Sequence, residues 1–190
     1  MSSVPKTLLS PEEYLARERI ADHKSEYFAG EVFAMAGASE RHNLIVLNTA
    51  ATLREQLRKR PCRVYPSDLR LKVQNTGLYT YPDVSVVCGE PELLSEQGDV
   101  LLNPNVLVEV LSESTEAYDR GKKFEHYRTI PTLREYVLIA QDRISVECFT
   151  RDDADGWTLR ATQDIDGFLQ LASIHCSLPL VEIYDKVQFA

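Results

Sequence analysis

Residues 81–88, YPDVSVVC, and residues 105–112, NVLVEVLS, read as two β-strands, each carrying one acid where a sheet asks for a hydrophobe. Asp83 follows Tyr81-Pro82 at the start of the first. Glu109 sits between Val108 and Val110 in the second, 26 residues later. Upstream of these, residues 62–74, CRVYPSDLRLKVQ, give a third β-rich run, and the three together predict the centre of the sheet. After Glu109, the segment from Glu116 to Ile130 reads as one helix, with Thr115 as a cap, Phe124 and Tyr127 on one face, and Pro131 as its stop. REYVLIA at 134–140 and ISVECFTR at 144–151 flank Gln141-Asp142-Arg143 as a hairpin, which DGWTLRATQ at 155–163 continues as a meander.

Upstream, Ser10-Pro11-Glu12-Glu13 predicts a capped helix start, the helix running to about Asp22. SEYFAGEVFAMAG at 25–37 predicts a hairpin turning at Ala29-Gly30. From Ser39 to Arg60 no Gly or Pro intervenes, and Leu44, Leu47, Ala51 and Leu57 recur at helical spacing until Pro61 ends the run. The order α, ββ, α, βββ, α, ββ, with a short element near 180–187, predicts an α/β fold: a central mixed sheet flanked by helices, with an N-terminal hairpin and C-terminal strands. Residues 90–103 form the one loop-like insertion long enough to suggest mobility.

The chain has 190 residues, 44% hydrophobic and 26% charged, which is ordinary globular usage and predicts one domain over 1–190. A chain this long buries roughly 70% of its unfolded surface, so its fold needs no disulfide or structural metal. A formal charge of −8 argues against a nucleic-acid coating protein or a membrane-surface protein. Acids gathered as metal ligands would deepen that total. Cys62, Cys88, Cys148 and Cys176 show no CxxC spacing and read as reduced, mostly buried thiols. The N-terminus, MSSVPKTLLSPEEYL, has no apolar leader core, and no run approaches the ~20 apolar residues a membrane helix needs, so a cytoplasmic protein is expected.

A carboxylate in a strand core is costly unless paired, hydrogen-bonded or bound to a cation, so Glu109 requires a partner. The simple partner is an Arg or Lys of the neighbouring helix. The alternative is a divalent metal: Mg²⁺ takes oxygen ligands, commonly one or two carboxylates with waters and a substrate phosphate oxygen. Lys122 and Lys123, in the helix after Glu109, are candidate cations near such a site.

Taken together, YPDVSVVC, LVEVLSESTEAYDRGKKFEHYR, LREYVLI and the earlier GEVFAMAGASERHNLIV resemble the Uma family of restriction-endonuclease-like proteins, within the PD-(D/E)XK nuclease superfamily, over roughly residues 10 to 150. The resemblance implies a restriction-endonuclease-like fold and a Mg²⁺- or Mn²⁺-dependent endonuclease acting on DNA. It implies that Asp83 and Glu109 are the motif acids and metal ligands. The motif lysine's usual place, two residues after the second acid, holds Leu111; the resemblance moves the lysine to DRGKKFEHY, favouring Lys123 over Lys122. Glu26 is implied as an assisting acid, while Glu31 and His42 match recurring positions that solvation and helix packing would equally explain. Asp119 reads as a helix-start acid or a partner of Lys123, and Tyr127 as a cleft or packing residue. Arg54, Arg58, Lys59, Arg60 and Arg63 gather at a helix C-terminus, where the macrodipole favours cations; phosphate contact is the second reading. The competing expectation is a noncatalytic nucleic-acid-binding or protein-interaction module on the same scaffold. A homodimer would suit a double-strand cutter.

Overall fold

The computed structural model describes residues 8–189; residues 1–7, on which the expected lack of an apolar leader core partly rests, lie outside the described residues. The elements run α1 (Pro11–Glu18), β1 (Ser25–Phe28), β2 (Glu31–Ala34), α2 (Glu40–Leu57), β3 (Cys62–Pro66), β4 (Arg70–Val73), β5 (Leu78–Thr80) and β6 (Val84–Cys88). They continue as β7 (Val100–Leu101), β8 (Val106–Leu111), α3 (Glu116–Tyr118), a π-helical turn (Asp119–Lys123), α4 (Phe124–Tyr127), β9 (Glu135–Ala140), β10 (Val146–Arg151) and β11 (Trp157–Thr162). β12 (Phe168–Leu171), β13 (Cys176–Pro179) and α5 (Leu180–Ile183) close the chain.

The expected central mixed sheet has six strands in the order β11-β10-β9-β8-β6-β3. β8 and β9 are parallel and the other pairs antiparallel. A parallel pair needs a crossover, and the helical segment 116–127 supplies it. β8, VLVEVL, is buried at every position, because each of its faces meets a packed layer. Val106, Val108 and Val110 join Ile45, Leu53 and Leu57 of α2 in one core. Leu107 and Leu111 pack on the other face with Tyr127, Tyr136, Leu71 and Leu78. Glu109 shares the parity of Leu107 and Leu111 and therefore faces this second layer.

That layer corrects the expected picture of one sheet with a decorating hairpin. β1 and β2 do form the expected hairpin, but β1 pairs with β5, giving a second, five-stranded sheet ordered β2-β1-β5-β4-β7. The run 62–74 is thus not one strand at the sheet centre. It breaks at Ser67-Asp68, and β3 and β4 enter different sheets. Residues 90–103, expected as a mobile loop, are tied in by β7, which pairs with β4, and by the Asn103 side chain, which donates to the Glu90 carbonyl and accepts from the Glu92 amide.

The helices differ in detail from expectation. α1 carries its predicted capping box but ends at Glu18 rather than Asp22. In α2 the buried stripe is Ile45, Thr49, Leu53 and Leu57, while Leu47 is 64% exposed. A threonine in the stripe hid its i, i+4 repeat. The helix expected over 116–130 ends at Tyr127 and widens into the π turn at Asp119–Lys123, and Thr115 makes no cap; its hydroxyl bonds Ser112 instead. β10 and β11 complete the predicted meander, and the β12–β13 hairpin lies beyond the elements that the sequence had revealed.

Two of the four cysteines depart from the reduced state expected. Cys62 and Cys88 face each other across the β3–β6 register and form a disulfide, whereas Cys148 and Cys176 are buried free thiols. Burial lifts the Cys148 thiol to about 11, so it is inert at neutral pH. In unreduced, denatured protein a thiol reagent should therefore titrate two cysteines; four would remove the bridge. Disulfides are rare in a reducing cytosol, so the count also bears on the compartment expected above. Among the described residues no helix is long and apolar enough to cross a membrane.

Candidate active site

Asp83 immediately precedes β6. The last register pair is Val84↔Val108, so Asp83 and Glu109 each stand one residue beyond it, and both line one cleft. The Asp83 carboxylate is held at both oxygens: Oδ2 accepts from the Val110 amide at 2.7 Å, and Oδ1 lies 3.0 Å from His42 Nε2. His42 is brought there by the first turn of α2, whose cap, Ser39 Oγ, accepts from the His42 backbone amide. His42, which the sequence left between packing and function, thus contacts the first acid.

Glu109 meets the crossover. Lys123 Nζ lies 3.0 Å from Glu109 Oε1, 3.2 Å from Asp119 Oδ1 and 3.3 Å from Glu26 Oε1. Tyr127 Oη donates to Glu109 Oε1 at 2.7 Å, and Thr80 Oγ1 donates to Glu26 Oε1. Glu26 arrives from β1 of the second sheet and Glu109 from β8 of the first, so the ammonium joins the two layers. Asp119 and Lys123 bracket the π-helical turn, a widening that recurs at functional sites, and both are buried. Lys122 is different. Its side chain is 72% exposed and pairs with Glu125 on the surface.

Three buried carboxylates around one ammonium leave an excess of negative charge. Burial pushes the Glu109 carboxyl well above its usual range, and the charges of Asp119 and Asp83 add to it, against the pull of Lys123 and the Tyr127 hydroxyl. For Lys123, burial works against the charged form, but the surrounding acids, Glu109 first, outweigh it and hold its pKa well above the ordinary value. Lys123 is therefore a charged ammonium at neutral pH. Asp119 Oδ1, though ion-paired, receives no directed hydrogen bond.

These groups line a cleft of about 670 Å³ between α2, the β2–α2 connection and the crossover. Asp83, Glu109, Glu26, Asp119, Lys123 and His42 all face it. Glu31 lines a different pocket beside α1. The basic group at the end of α2 stands outside the cleft: Arg58 pairs with Glu55, Arg63 with Glu90, and Arg60 donates to the Ile174 and His175 carbonyls. Thr80 and Tyr118 belong to the site and carried no signal in the sequence. For Asp119 the i, i+4 spacing to Lys123 was the available clue.

Among the described residues no three His, Cys, Asp or Glu side chains are gathered into a group able to hold a metal ion alone. The donor set nonetheless suits a hard dication. Mg²⁺ needs only one or two protein carboxylates, keeping waters and substrate oxygens for its other positions, and this cleft holds the Asp83 and Glu109 carboxylates with more acids than cations around them.

The fold is shared with a solved structure from Anabaena variabilis, titled as a "putative nuclease belonging to DUF820", at a TM-score of 0.76 and 18% identity, covering 93% of this chain and 98% of that one. An uncharacterized Synechocystis protein, slr1290, is 38% identical over 187 residues, 98% of this chain and 97% of its own. A second from the same organism, sll1609, is 38% identical over 152 residues, 80% of this chain and 86% of its own. Since the model of Uma2, described as "Putative restriction endonuclease", matches residues 11–180, nearly the whole described chain, this protein belongs to the Uma2 family.

Proposed function

We propose that the protein is a divalent-metal-dependent endonuclease that hydrolyses DNA phosphodiester bonds. One observation carries the reading: an acid just before β6 and an acid within β8 share a cleft with a buried, charged lysine 3.0 Å from the second acid. Asp83 and Glu109 would hold Mg²⁺ or Mn²⁺, which when bound supplies Lewis acidity toward the phosphate and lowers the pKa of a water. The remaining work falls to the chain. Lys123 would set fixed positive charge toward the phosphoryl oxygens, where negative charge develops, with no reorganisation at the moment of reaction. Glu26 and Asp119 hold that ammonium in place, and His42 with the Val110 amide fixes the Asp83 rotamer. Cutting both strands of a duplex would require two copies, as in a homodimer.

The second reading, a noncatalytic module whose cluster only rivets the two sheets, is favoured by the full ion pairing of Lys123. Metal separates the two. The purified protein should bind Mn²⁺ by calorimetry and convert DNA to shorter products with Mg²⁺ or Mn²⁺ but not with chelator. Heat-free titration and uncut DNA would establish the riveting role.

A further inference from the structure

β2 is the edge strand of the second sheet, and in its register with β1 Phe33 lies directly across from Glu26. Opposed residues of an antiparallel pair project to the same face, so the Phe33 ring stands beside the Glu26 carboxylate and lines the same cleft. It is 49% exposed there. Ala34, Met35, Ala36 and Gly37 continue the cleft wall with little polar character.

This apolar wall borders a strongly acidic floor. Asp22, Glu26, Asp83, Glu109 and Asp119 face the cleft, and its two lysines are both engaged: Lys123 with three carboxylates, Lys24 with Asp68 and the Ser67 carbonyl. Phosphate attraction, which supplies most nonspecific affinity for DNA, is therefore weak at this floor. An exposed aromatic ring offers affinity of another kind, by stacking on a nucleobase. In an intact duplex both faces of a base are already covered, so the ring can be met only by an unpaired base.

We infer that Phe33 is a stacking platform for an unpaired base and that the cleft takes single-stranded DNA in preference to duplex. The inference rests on the nuclease reading for its substrate class, and it removes the need for a second copy.

The test uses the full chain with Ca²⁺ in place of Mg²⁺, and a short single-stranded oligonucleotide carrying 2-aminopurine, whose fluorescence falls on stacking, beside the same sequence as duplex. The wild type should bind the single strand more tightly and quench the probe. Phe33→Ala should weaken binding by about 5- to 150-fold, the loss expected for one stacked base, and abolish the quench, and Phe33→Trp should restore both. Thermal melting of both variants shows that they fold, as expected for an exposed edge position. Duplex bound as tightly as single strand, no binding of either, or wild-type affinity in Phe33→Ala overturns the platform. An oligonucleotide bound and quenched through Phe33 yet never hydrolysed with Mg²⁺ or Mn²⁺ upholds the platform and ends the nuclease reading alone.

Discussion

Lys123→Met will cost about 3–5 kcal/mol of folding stability at neutral pH, the scale on which removing one partner of a buried ion pair leaves charge uncompensated. The residue is 5% exposed and its ammonium is shared among Glu109, Glu26 and Asp119. Methionine fills the space and removes the cation that those three share. The deficit will depend on pH in a definite direction. Glu109 already has its folded pKa raised above the unfolded value, so its protonated form is the one the fold prefers. Stability from that group is fully present below the ordinary glutamate pKa of about 4.3 and is lost as pH rises through the raised folded value. Without Lys123 the folded value climbs further, so the variant should lie nearest wild type at about pH 4–5 and fall away above it. Urea melts of both proteins across this range measure the effect; a constant gap would show that the acids do not feel the lysine. Lys122→Met, at an exposed surface pair, should stay within about 0.5 kcal/mol of wild type.

Asp83→Asn will separate function from folding. The amide oxygen still accepts from the Val110 N–H, so stability should change by no more than about 1 kcal/mol. What disappears is a negative charge in a cleft proposed to hold a dication. Mn²⁺ binding should be lost in calorimetry, and DNA hydrolysis should drop by about 10²- to 10³-fold or more, as when electrostatic stabilisation of a transition state is removed. A folded Asp83→Asn protein that still binds Mn²⁺ and cuts at the wild-type rate would exclude Asp83 from the site. The pair of variants thus separates the charge that the fold depends on from the charge that the proposed metal depends on.

The strands were legible where one physical demand dominated. β8 is a run of apolar residues interrupted by one acid, and a buried acid must have a partner, so both the strand and the importance of Glu109 could be read from VLVEVL alone. The capping box of α1 and the β9–β10 hairpin are similarly local. The division of 62–74 between two sheets was hidden, because pairing partners far along the chain decide it: β3 goes to β6 and β4 to β5 and β7. Glu26 shows the same limit. Its strand could be read, but its meeting with Lys123 depends on how one sheet lies against another. The disulfide likewise needed the Cys62↔Cys88 register, which no CxxC spacing announces.

The wide turn at Asp119–Lys123 has a genetic meaning. A π turn is an α-helix that has accepted one additional residue while the helix on either side keeps its hydrogen bonding. Each residue advances an α-helix by about 100°, so excising a single codon here, that of Gly121 for instance, would straighten the segment and swing its lysine by that angle relative to what precedes it. The phase of this turn thus decides whether an ammonium carried on a helix reaches an acid carried on a strand. Patterns that count residues from that acid will pass over such proteins, whereas patterns written in three-dimensional positions will collect them.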